Sequence, residues 1–427
     1  MTNDRRNAAP PLIQRIVSID ALRGFVMFMM IFVNDLAGAP EKIVPNWMVH
    51  FSDRHHGGSG MTFVDLVFPG FLFIVGMSIP FALGPRLARG EFIGKIFGHV
   101  SLRTLSLLAI GILMVHETPD SAQLGWPGQR WCLLMYLSAI FAFCSIKPKS
   151  SNIKTEVGKR DHWNILSLSL RGLGLVSLVW LALVFRDDHG RPIFTLWPFH
   201  VATDWYGILG LIGWAYLVAA VVYLSFRNHR TAVLACMVLL MCLFAADRKG
   251  LFDDCWLAHY VGIGEMLGSL AAISVGGLLM GLMLNATELA TVKARANFTM
   301  WFVAACVAAA ILLKPLYGIS KNNATPSWCL WSCAITATLW FLFYLICDVR
   351  PVKVVSRPLA LAGQNVLLAY LLSDMQESLF DLLHLGDWYG GLSESSLAAA
   401  VARSAICGVV ILSISVGLNR IGFRLRL

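Results

Sequence analysis

The sequence has little charge and few long polar stretches. Charged residues make up 14% of its 427 residues, whereas a soluble domain has about 25%. This scarcity excludes a soluble enzyme of ordinary composition. The chain is instead 57% hydrophobic, and its apolar residues fall in runs of roughly 17–25 residues, the length of a helix that crosses a bilayer. Strands of a membrane β-barrel would alternate and be about half as long. We therefore predict an all-α polytopic helical bundle with about 10–12 transmembrane helices.

Several chemical motifs are also absent. The ten cysteines form no Cys-x-x-Cys pattern and no Cys/His ligand spacing, so we expect buried thiols and no metal site. There is no glycine-rich phosphate loop that would locate a nucleotide-bearing substrate. Residues 1–11 carry no cleavable signal pattern, so the first span is expected to direct its own insertion.

Hydropathy divides the chain into twelve predicted spans. The seventh is short and could instead be re-entrant, which leaves eleven or ten crossings. We predict a cytoplasmic tail at 1–17, a front bundle at 18–146, a basic cytoplasmic loop at 147–163 and the remaining bundle at 164–427. The predicted spans are 18–37, 62–83, 100–115, 131–146, 164–185, 205–226, 231–246, 263–285, 298–314, 329–347, 359–375 and 398–418.

Basic residues are distributed unevenly over the predicted loops. When the N-terminus is placed inside, most Lys and Arg residues fall on the inner loops, which predicts that both termini are cytoplasmic. We expect an integral protein of a bacterial inner membrane. This topology explains the net charge of +9, so no nucleic-acid partner is expected. Most of the eleven histidines fall in outer loops, which indicates chemistry or ligand contact there.

The most informative polar residues flank the first two spans. Asn34 ends the first span and Asp65 opens the second, with His55 and His56 in the loop between them. Polar groups at membrane depth are functional candidates. We expect His55 to act as a general base or as a nucleophile that accepts a transferred group itself. Asn34 could donate a hydrogen bond to a developing oxyanion, and Asp65 could either orient a histidine or cap its helix.

Basic residues at the inner mouths are candidates for binding a phosphate-bearing donor, because arginine forks match phosphate oxygens. Arg23 forms with Asp20 either a helix-surface pair or part of a phosphate site. Arg86 and Arg89 supply a further basic patch, which positive-inside topology also explains.

Two polar residues of the later spans are candidates for lining a cavity. Glu265 needs a partner at its depth, and Lys314 or Lys321 could supply it. Asn365 is expected to hydrogen-bond another span.

Six segments of the chain, taken in order, carry a recognisable set of motifs. They are an Arg-x-x-Ser-x-Asp-x-x-Arg-Gly start at 15–24, a Phe-Val-Asn end of the first span at 32–34, a Thr-x-x-Asp-Leu-Val-Phe-Pro entry at 62–69, and the segments 264–273, 321–328 and 363–370. Together they resemble the heparan-α-glucosaminide N-acetyltransferase family.

The resemblance implies that acetyl is taken from acetyl-CoA on the cytosolic side and delivered to the amine of a glucosamine on the far side. It implies a catalytic histidine at His55 and a functional asparagine at Asn34. The family often has Trp-Asn where this chain has Gly58 and Ser59, which leaves open the acceptor and the register between His55 and His56. The candidate substrate contacts are His56, Glu265, Lys321, Asn322 and Asn365.

We therefore predict a membrane acetyltransferase with acetyl-CoA as donor substrate and an amino sugar as acceptor. One alternative is a secondary transporter or flippase of a sugar or lipid-linked substrate, although paired broken helices are not evident. Another is an O-acyltransferase of cell-envelope glycans. A small-residue face at Gly276, Gly277 and Gly281 could pack against a second copy, so a homodimer is a further expectation.

Overall fold

The computed structural model describes residues 16–51, 58–116, 119–147, 157–197, 199–201 and 205–426. Its longer helices are α1 (Val17–Ala37), α2 (Val67–Ala88), α3 (Ile93–Val115), α4 (Gly128–Ala142), α5 (Val157–Val184), α6 (Gly207–Phe226), α7 (Arg230–Asp247), α8 (Ala271–Asn285), α9 (Val292–Tyr317), α10 (Pro326–Tyr344), α11 (Lys353–Ala362), α12 (Val366–Leu382) and α13 (Leu397–Arg420). The prediction of an all-α fold is confirmed.

Short elements connect these helices. Two small antiparallel sheets pair β1 (Cys144–Ile146) with β4 (Phe423–Leu425), and β2 (Phe194–Leu196) with β3 (Phe199–Val201). Short helical turns lie at Asn46–Met48, Val64–Leu66, Ser121–Leu124, Trp256–His259, Thr287–Leu289 and Gly386–Gly391, and π-helical segments at Ile263–Leu270 and Leu345–Val349.

Ten helical segments within the described residues are long and apolar enough to cross a membrane. The chain is an integral membrane protein. Two of the predicted spans correspond to shorter helices, α4 with 15 residues and α12 with 17, so the predicted range of about 10–12 transmembrane helices is confirmed. The seventh predicted span is a continuous helix of 18 residues. We name the end of the bundle at which α1 ends the distal end, and the opposite end the proximal end.

Several predicted boundaries differ from the structure. The helices α3 and α9 begin seven and six residues before the predicted spans 100–115 and 298–314. The predicted span 359–375 is not one helix, because α11 ends at Ala362 and α12 begins at Val366. The last part of the predicted loop 147–163 is helical, since α5 begins at Val157.

The break between α11 and α12 follows from a close backbone approach. A Cβ atom on Gly24 of α1 would meet the Leu359 carbonyl of α11, and one on Gly363 would meet the Asp20 carbonyl of α1. Only glycine allows two backbones to lie this near to each other. The chain therefore turns where α1 and α11 touch, and this contact fixes the position of α1 in the bundle.

The helix α8 forms the centre of the bundle. It packs on α2, α6 and α7, and 94% of its span is buried. Gly277 and Gly281 face backbone atoms of Phe73 and Met77 on α2. The small-residue face that was expected to join a second copy is therefore used within the chain, and it provides no support for the homodimer.

We predict that Gly277→Ala destabilises the protein, because its Cβ would overlap the Phe73 carbonyl and force the α2–α8 contact apart. Overpacking of this kind costs about 1–3 kcal/mol. Gly417→Ala is the matched control, since nothing lies within 4 Å of a Cβ at that position of α13 and helix propensity favours alanine. Thermal unfolding in detergent measures both variants. Equal melting temperatures of the two variants would show that close packing of α2 on α8 does not determine the stability of the protein.

We also predict the orientation of the bundle. On a cysteine-free background, a membrane-impermeant maleimide applied to intact cells should label Ser395→Cys, in the distal loop before α13, and spare Ala290→Cys, in the proximal loop before α9. Both positions are exposed, so accessibility in the folded chain is matched. Labelling of Ala290→Cys alone would reverse the orientation derived from the basic loops.

Candidate functional site

A cavity of about 360 Å³ opens at the distal end of the bundle. The end of α1, the loop after it, the start of α6, the π-helical segment before α8 and the loop before α10 all contribute to its wall. Apolar side chains form most of the lining. The polar ones are Asn34, His50, Glu265, Lys321 and Asn322. Four of these five were predicted as site residues from the sequence, and His50 was not.

A histidine–carboxylate pair forms one side of the cavity. His50 Nδ1 lies 2.7 Å from Asp65 Oδ1, and Asp65 is only 1% exposed. The other carboxylate oxygen accepts hydrogen bonds from the backbone N–H groups of Thr62 at 2.9 Å and Phe51 at 3.1 Å. Asp65 thus orients a histidine and also receives the amides at the entry to its own helix. With the Nδ1 proton directed at Asp65, the second ring nitrogen, Nε2, is left to act as a proton acceptor.

Lys321 lies against the same imidazole. Its ammonium nitrogen is 3.2 Å from both ring nitrogens of His50. The loop that carries Lys321 is attached to the loop before α2, because the Ile319 N–H donates to Ser59 Oγ at 2.7 Å and the Gly60 N–H donates to the Ile319 carbonyl at 3.0 Å. Two loops that are far apart in sequence therefore place a base and a cation side by side.

Asn34, near the end of α1, lines the same cavity. Its side chain is exposed, and it makes no hydrogen bond within the described part of the chain. It also lines two adjoining cavities of about 570 and 440 Å³. Both of these contain three carboxylates of α12 that the sequence analysis did not single out: Asp374, Glu377 and Asp381. Asn34 is therefore the side chain at which all three cavities meet.

The residue after Asn34 anchors the distal end of α1. The Asp35 carboxylate accepts from Arg403 Nε at 3.1 Å, from Ser404 Oγ at 2.6 Å and from the Tyr389 hydroxyl at 2.7 Å. Arg403 is 7% exposed. Burial and the hydrogen bond to Asp35 raise the pKa of Tyr389, so its hydroxyl remains a donor at neutral pH. This network holds the backbone that presents Asn34 to the cavities.

Two predicted substrate contacts of the later spans have different surroundings. Glu265 faces the cavity from a π-helical segment, a distortion that is frequent at functional sites. Its partner is Arg248, at 2.6 Å, so the expected pairing with Lys314 or Lys321 is wrong. Asn365 is absent from the cavity lining. Its side chain is hydrogen-bonded to the backbone of β4, at Phe423 and Leu425, which makes it a contact between elements.

The three predicted coenzyme A contacts lie toward the proximal end. Arg23 donates to Asp20 Oδ1 at 3.1 Å and to Ser78 Oγ at 2.6 Å, so the expected i,i+3 pair is present. Arg86 and Arg89 both bond Glu91, at 2.8 and 3.1 Å. Hydrogen bonds from Arg86 and then Arg89 lower the pKa of Glu91. A role of these arginines in binding phosphate stays a prediction.

His55 and His56 lie outside the residues that the structure describes. One feature of the sequence could have pointed to His50. It is one of the histidines that the predicted topology places outside, and it lies 15 residues before Asp65. Spacing alone gave no reason to pair the two residues.

Comparison with known proteins identifies the family. A family model described as a domain of unknown function (DUF5009) matches residues 15–250, more than half of the chain. The chain belongs to this family. It is also 30% identical to human heparan-alpha-glucosaminide N-acetyltransferase over 197 residues, and 30% identical to the mouse protein of that name over 190 residues. Each alignment covers 42% of this chain and 27% of the relative. The resemblance found in the sequence motifs is confirmed.

The chain thus aligns with about a quarter of the length of the curated relatives it matches. The family match includes the first span, His50, Asp65 and the segment with His55 and His56, which we call the histidine-rich loop. It ends before Glu265 and Lys321.

We predict that Arg403→Ala strongly destabilises the protein, because it leaves the Asp35 carboxylate without its cation inside the bundle. Removal of one partner of a buried ion pair costs about 3–5 kcal/mol. Arg191→Ala, which removes an exposed ion pair with Asp187, should change the melting temperature little. The measurement is thermal unfolding of both variants in the same detergent. Similar melting temperatures for the two variants would contradict the anchoring role of Asp35.

Proposed function

We propose that the protein is a membrane acetyltransferase that moves an acetyl group from acetyl-CoA to an amino-sugar acceptor at the distal face. The observation that carries the proposal is the His50–Asp65 pair, which faces a cavity beside the Asn34 amide and the Lys321 ammonium. A base, a neutral donor and a cation around one space are the groups that acyl transfer requires. The similarity to two N-acetyltransferases adds support.

The pair would work as a general base. Asp65 would hold the Nδ1–H tautomer of His50, in which the Lys321 ammonium donates to Nε2. Once that ammonium turns to the thioester oxygen, Nε2 can take a proton from the acceptor as the acceptor's nitrogen or oxygen attacks the thioester carbonyl. The carbon–sulfur bond then breaks, and the coenzyme A thiolate leaves with a proton returned by the imidazolium. The carboxylate would also stabilise that imidazolium while it exists. An acetyl-imidazole intermediate on Nε2 uses the same geometry.

The oxyanion that forms on the thioester needs donors directed at it. Asn34 supplies an amide N–H and Lys321 a charged ammonium, both at the wall of the same cavity. Such donors are most effective where water is excluded and their positions are already fixed. The anchoring of Asp35 by Arg403 and Tyr389 fixes the backbone of Asn34 before substrate arrives.

The adjoining cavities suit a cationic acceptor. Asp374, Glu377 and Asp381 would give them a negative potential, which would attract a protonated amine toward Asn34. The amine would first release one proton to solvent, so that its lone pair can attack, and His50 would take the second proton during the attack. The donor would enter from the proximal end, where Arg23, Arg86 and Arg89 would contact its phosphates. Donor and acceptor would then meet at Asn34 without either substrate crossing the membrane.

We predict that His50→Ala lowers the rate of acetyl transfer about 10²–10⁴-fold, the usual cost of losing a general base, and leaves acetyl-CoA binding intact. The assay uses purified protein in proteoliposomes, acetyl-CoA and glucosamine, with free coenzyme A measured by a thiol reagent and the acetylated sugar by mass spectrometry. His259→Ala, at another distal histidine, is the matched control.

Three outcomes would change this proposal. Loss of activity in His55→Ala or His56→Ala, with His50→Ala active, would transfer the base to the histidine-rich loop. Full activity in all three variants would overturn histidine catalysis. Movement of a sugar across the wild-type membrane without release of coenzyme A would favour a transporter.

We predict that Asn34→Ala lowers kcat roughly 10²–10³-fold, the cost of losing one oxyanion donor, with little change in the KM for acetyl-CoA. The hydrogen bond would strengthen only in the transition state, so ground-state binding is largely preserved. Asn34→Asp should be no better, because a carboxylate repels the developing charge. Steady-state kinetics with varied acetyl-CoA measures both constants. A raised KM with unchanged kcat would make Asn34 a donor-binding residue.

A further inference from the structure

A tryptophan of the distal end lines the candidate site. Trp205, two residues before α6, contributes both to the cavity of about 360 Å³ that contains His50 and to the adjoining cavity of about 570 Å³. These two cavities have three lining residues in common, which are Asn34, Trp205 and Ile208. The indole and the Asn34 amide therefore both lie at the boundary between the two cavities.

The backbone that carries Trp205 is held against α3. Gly207 has a φ of 66°, and a Cβ atom there would lie 2.8 Å from the Gly111 carbonyl of α3. A Cβ atom on Gly111 would in turn meet the Tyr206 carbonyl, so both positions require glycine. The Tyr206 hydroxyl donates to the Tyr260 carbonyl at 2.6 Å. These contacts hold the turn before α6, and the Trp205 side chain remains accessible to a ligand because 43% of the residue is exposed.

An indole at this boundary suits a ring better than a linear amine. A hexosamine in its chair form carries its hydroxyl groups around the edge of the ring and leaves C–H groups on the two faces. An aromatic side chain offers such a face a large, rigid apolar contact, whereas a short linear amine has no comparable face. Polar side chains of the same cavity, Gln129 and Ser378 among them, can bind the hydroxyl groups and fix the orientation of the ring.

We propose that Trp205 is the platform on which the acceptor ring stacks, with the ring in the cavity of about 570 Å³ and the amine directed past Asn34. The inference rests on the proposed transfer reaction and adds to it the residue that selects a sugar over other amines. A stacked ring holds its amine at the boundary of the two cavities, and the neighbouring cavity supplies the His50 imidazole.

Steady-state kinetics with two acceptors, glucosamine and ethanolamine, separates stacking from charge. Trp205→Ala should raise the KM for glucosamine about ten-fold, the size of a lost aromatic contact. It should leave the KM for ethanolamine unchanged, because the carboxylates that attract the amine are intact. Trp205→Phe keeps an aromatic face and should restore most of the affinity for glucosamine. Trp256→Ala removes another distal tryptophan, which is 72% exposed and lines none of the three distal cavities, and should change neither KM.

A binding measurement keeps the test independent of catalysis. Glucosamine is titrated into the wild-type protein without acetyl-CoA, so that no transfer can occur, and calorimetry gives the dissociation constant. Saturation-transfer NMR shows which hydrogens of the sugar contact the protein. We expect Trp205→Ala to weaken binding about ten-fold and to abolish a preferential saturation of the hydrogens on one face of the ring. Stacking without acetyl transfer in the wild type would overturn the proposed function and leave this inference standing.

Four results would overturn the inference. The first is a wild-type protein that does not bind glucosamine, and the second is a Trp205→Ala variant that binds it as tightly as the wild type does. The third is an equal rise of the KM for ethanolamine in Trp205→Ala. The fourth is the same effect in Trp256→Ala, which would indicate that distal tryptophans anchor the protein at the membrane interface.

Discussion

The buried Asp65 carboxylate is the group on which the candidate site depends. A carboxylate that is 1% exposed at the start of a transmembrane helix is unstable without donors. It obtains them from the His50 imidazole and from the amides of Phe51 and Thr62. These bonds bring Phe51 and Thr62 to the helical turn Val64–Leu66 that leads into α2. One electrostatic requirement thus fixes the entry to the helix and directs a histidine into the cavity.

The neighbouring residues Asn34 and Asp35 of α1 have different roles: Asp35 anchors the end of the helix, and Asn34 faces the cavities. Asp35 points between α1 and α13, where Arg403 and Ser404 bind it. Asn34, one position earlier on the helix, points into the cavities instead. A helix turns by about 100° per residue, so adjacent side chains face different surroundings. The strong bonds of Asp35 hold the helix end, and Asn34 remains available for a substrate.

The sequence predicted the all-α bundle because a run of about 20 apolar residues has few alternatives in a membrane. It singled out Asn34, Asp65 and Glu265 because polar groups at membrane depth are conspicuous, and Lys321 and Asn322 through the family resemblance. All of these except Asp65 line the cavity, and their roles in catalysis and binding stay predictions. It missed the His50–Asp65 pair and the Arg248–Glu265 pair, because separations of 15 and 17 residues between different elements leave no periodic pattern in the sequence. The break at Gly363 was hidden for a related reason, since hydropathy does not register a backbone contact with Gly24.

Ion pairs and hydrogen bonds of the polar side chains explain how a polar cavity can exist within an apolar bundle. Asp35 is paired with Arg403, Glu265 with Arg248, and Asp65 with the Nδ1 side of His50. These contacts offset the desolvation free energy of a charge at membrane depth, because each carboxylate has a cationic partner or several hydrogen bonds. Within the described residues, the Asn34 side chain has no such partner, and the proposed chemistry uses it directly. An acceptor and a thioester would therefore enter a site in which these three carboxylates already have partners, so their own polar atoms supply the remaining contacts with Asn34.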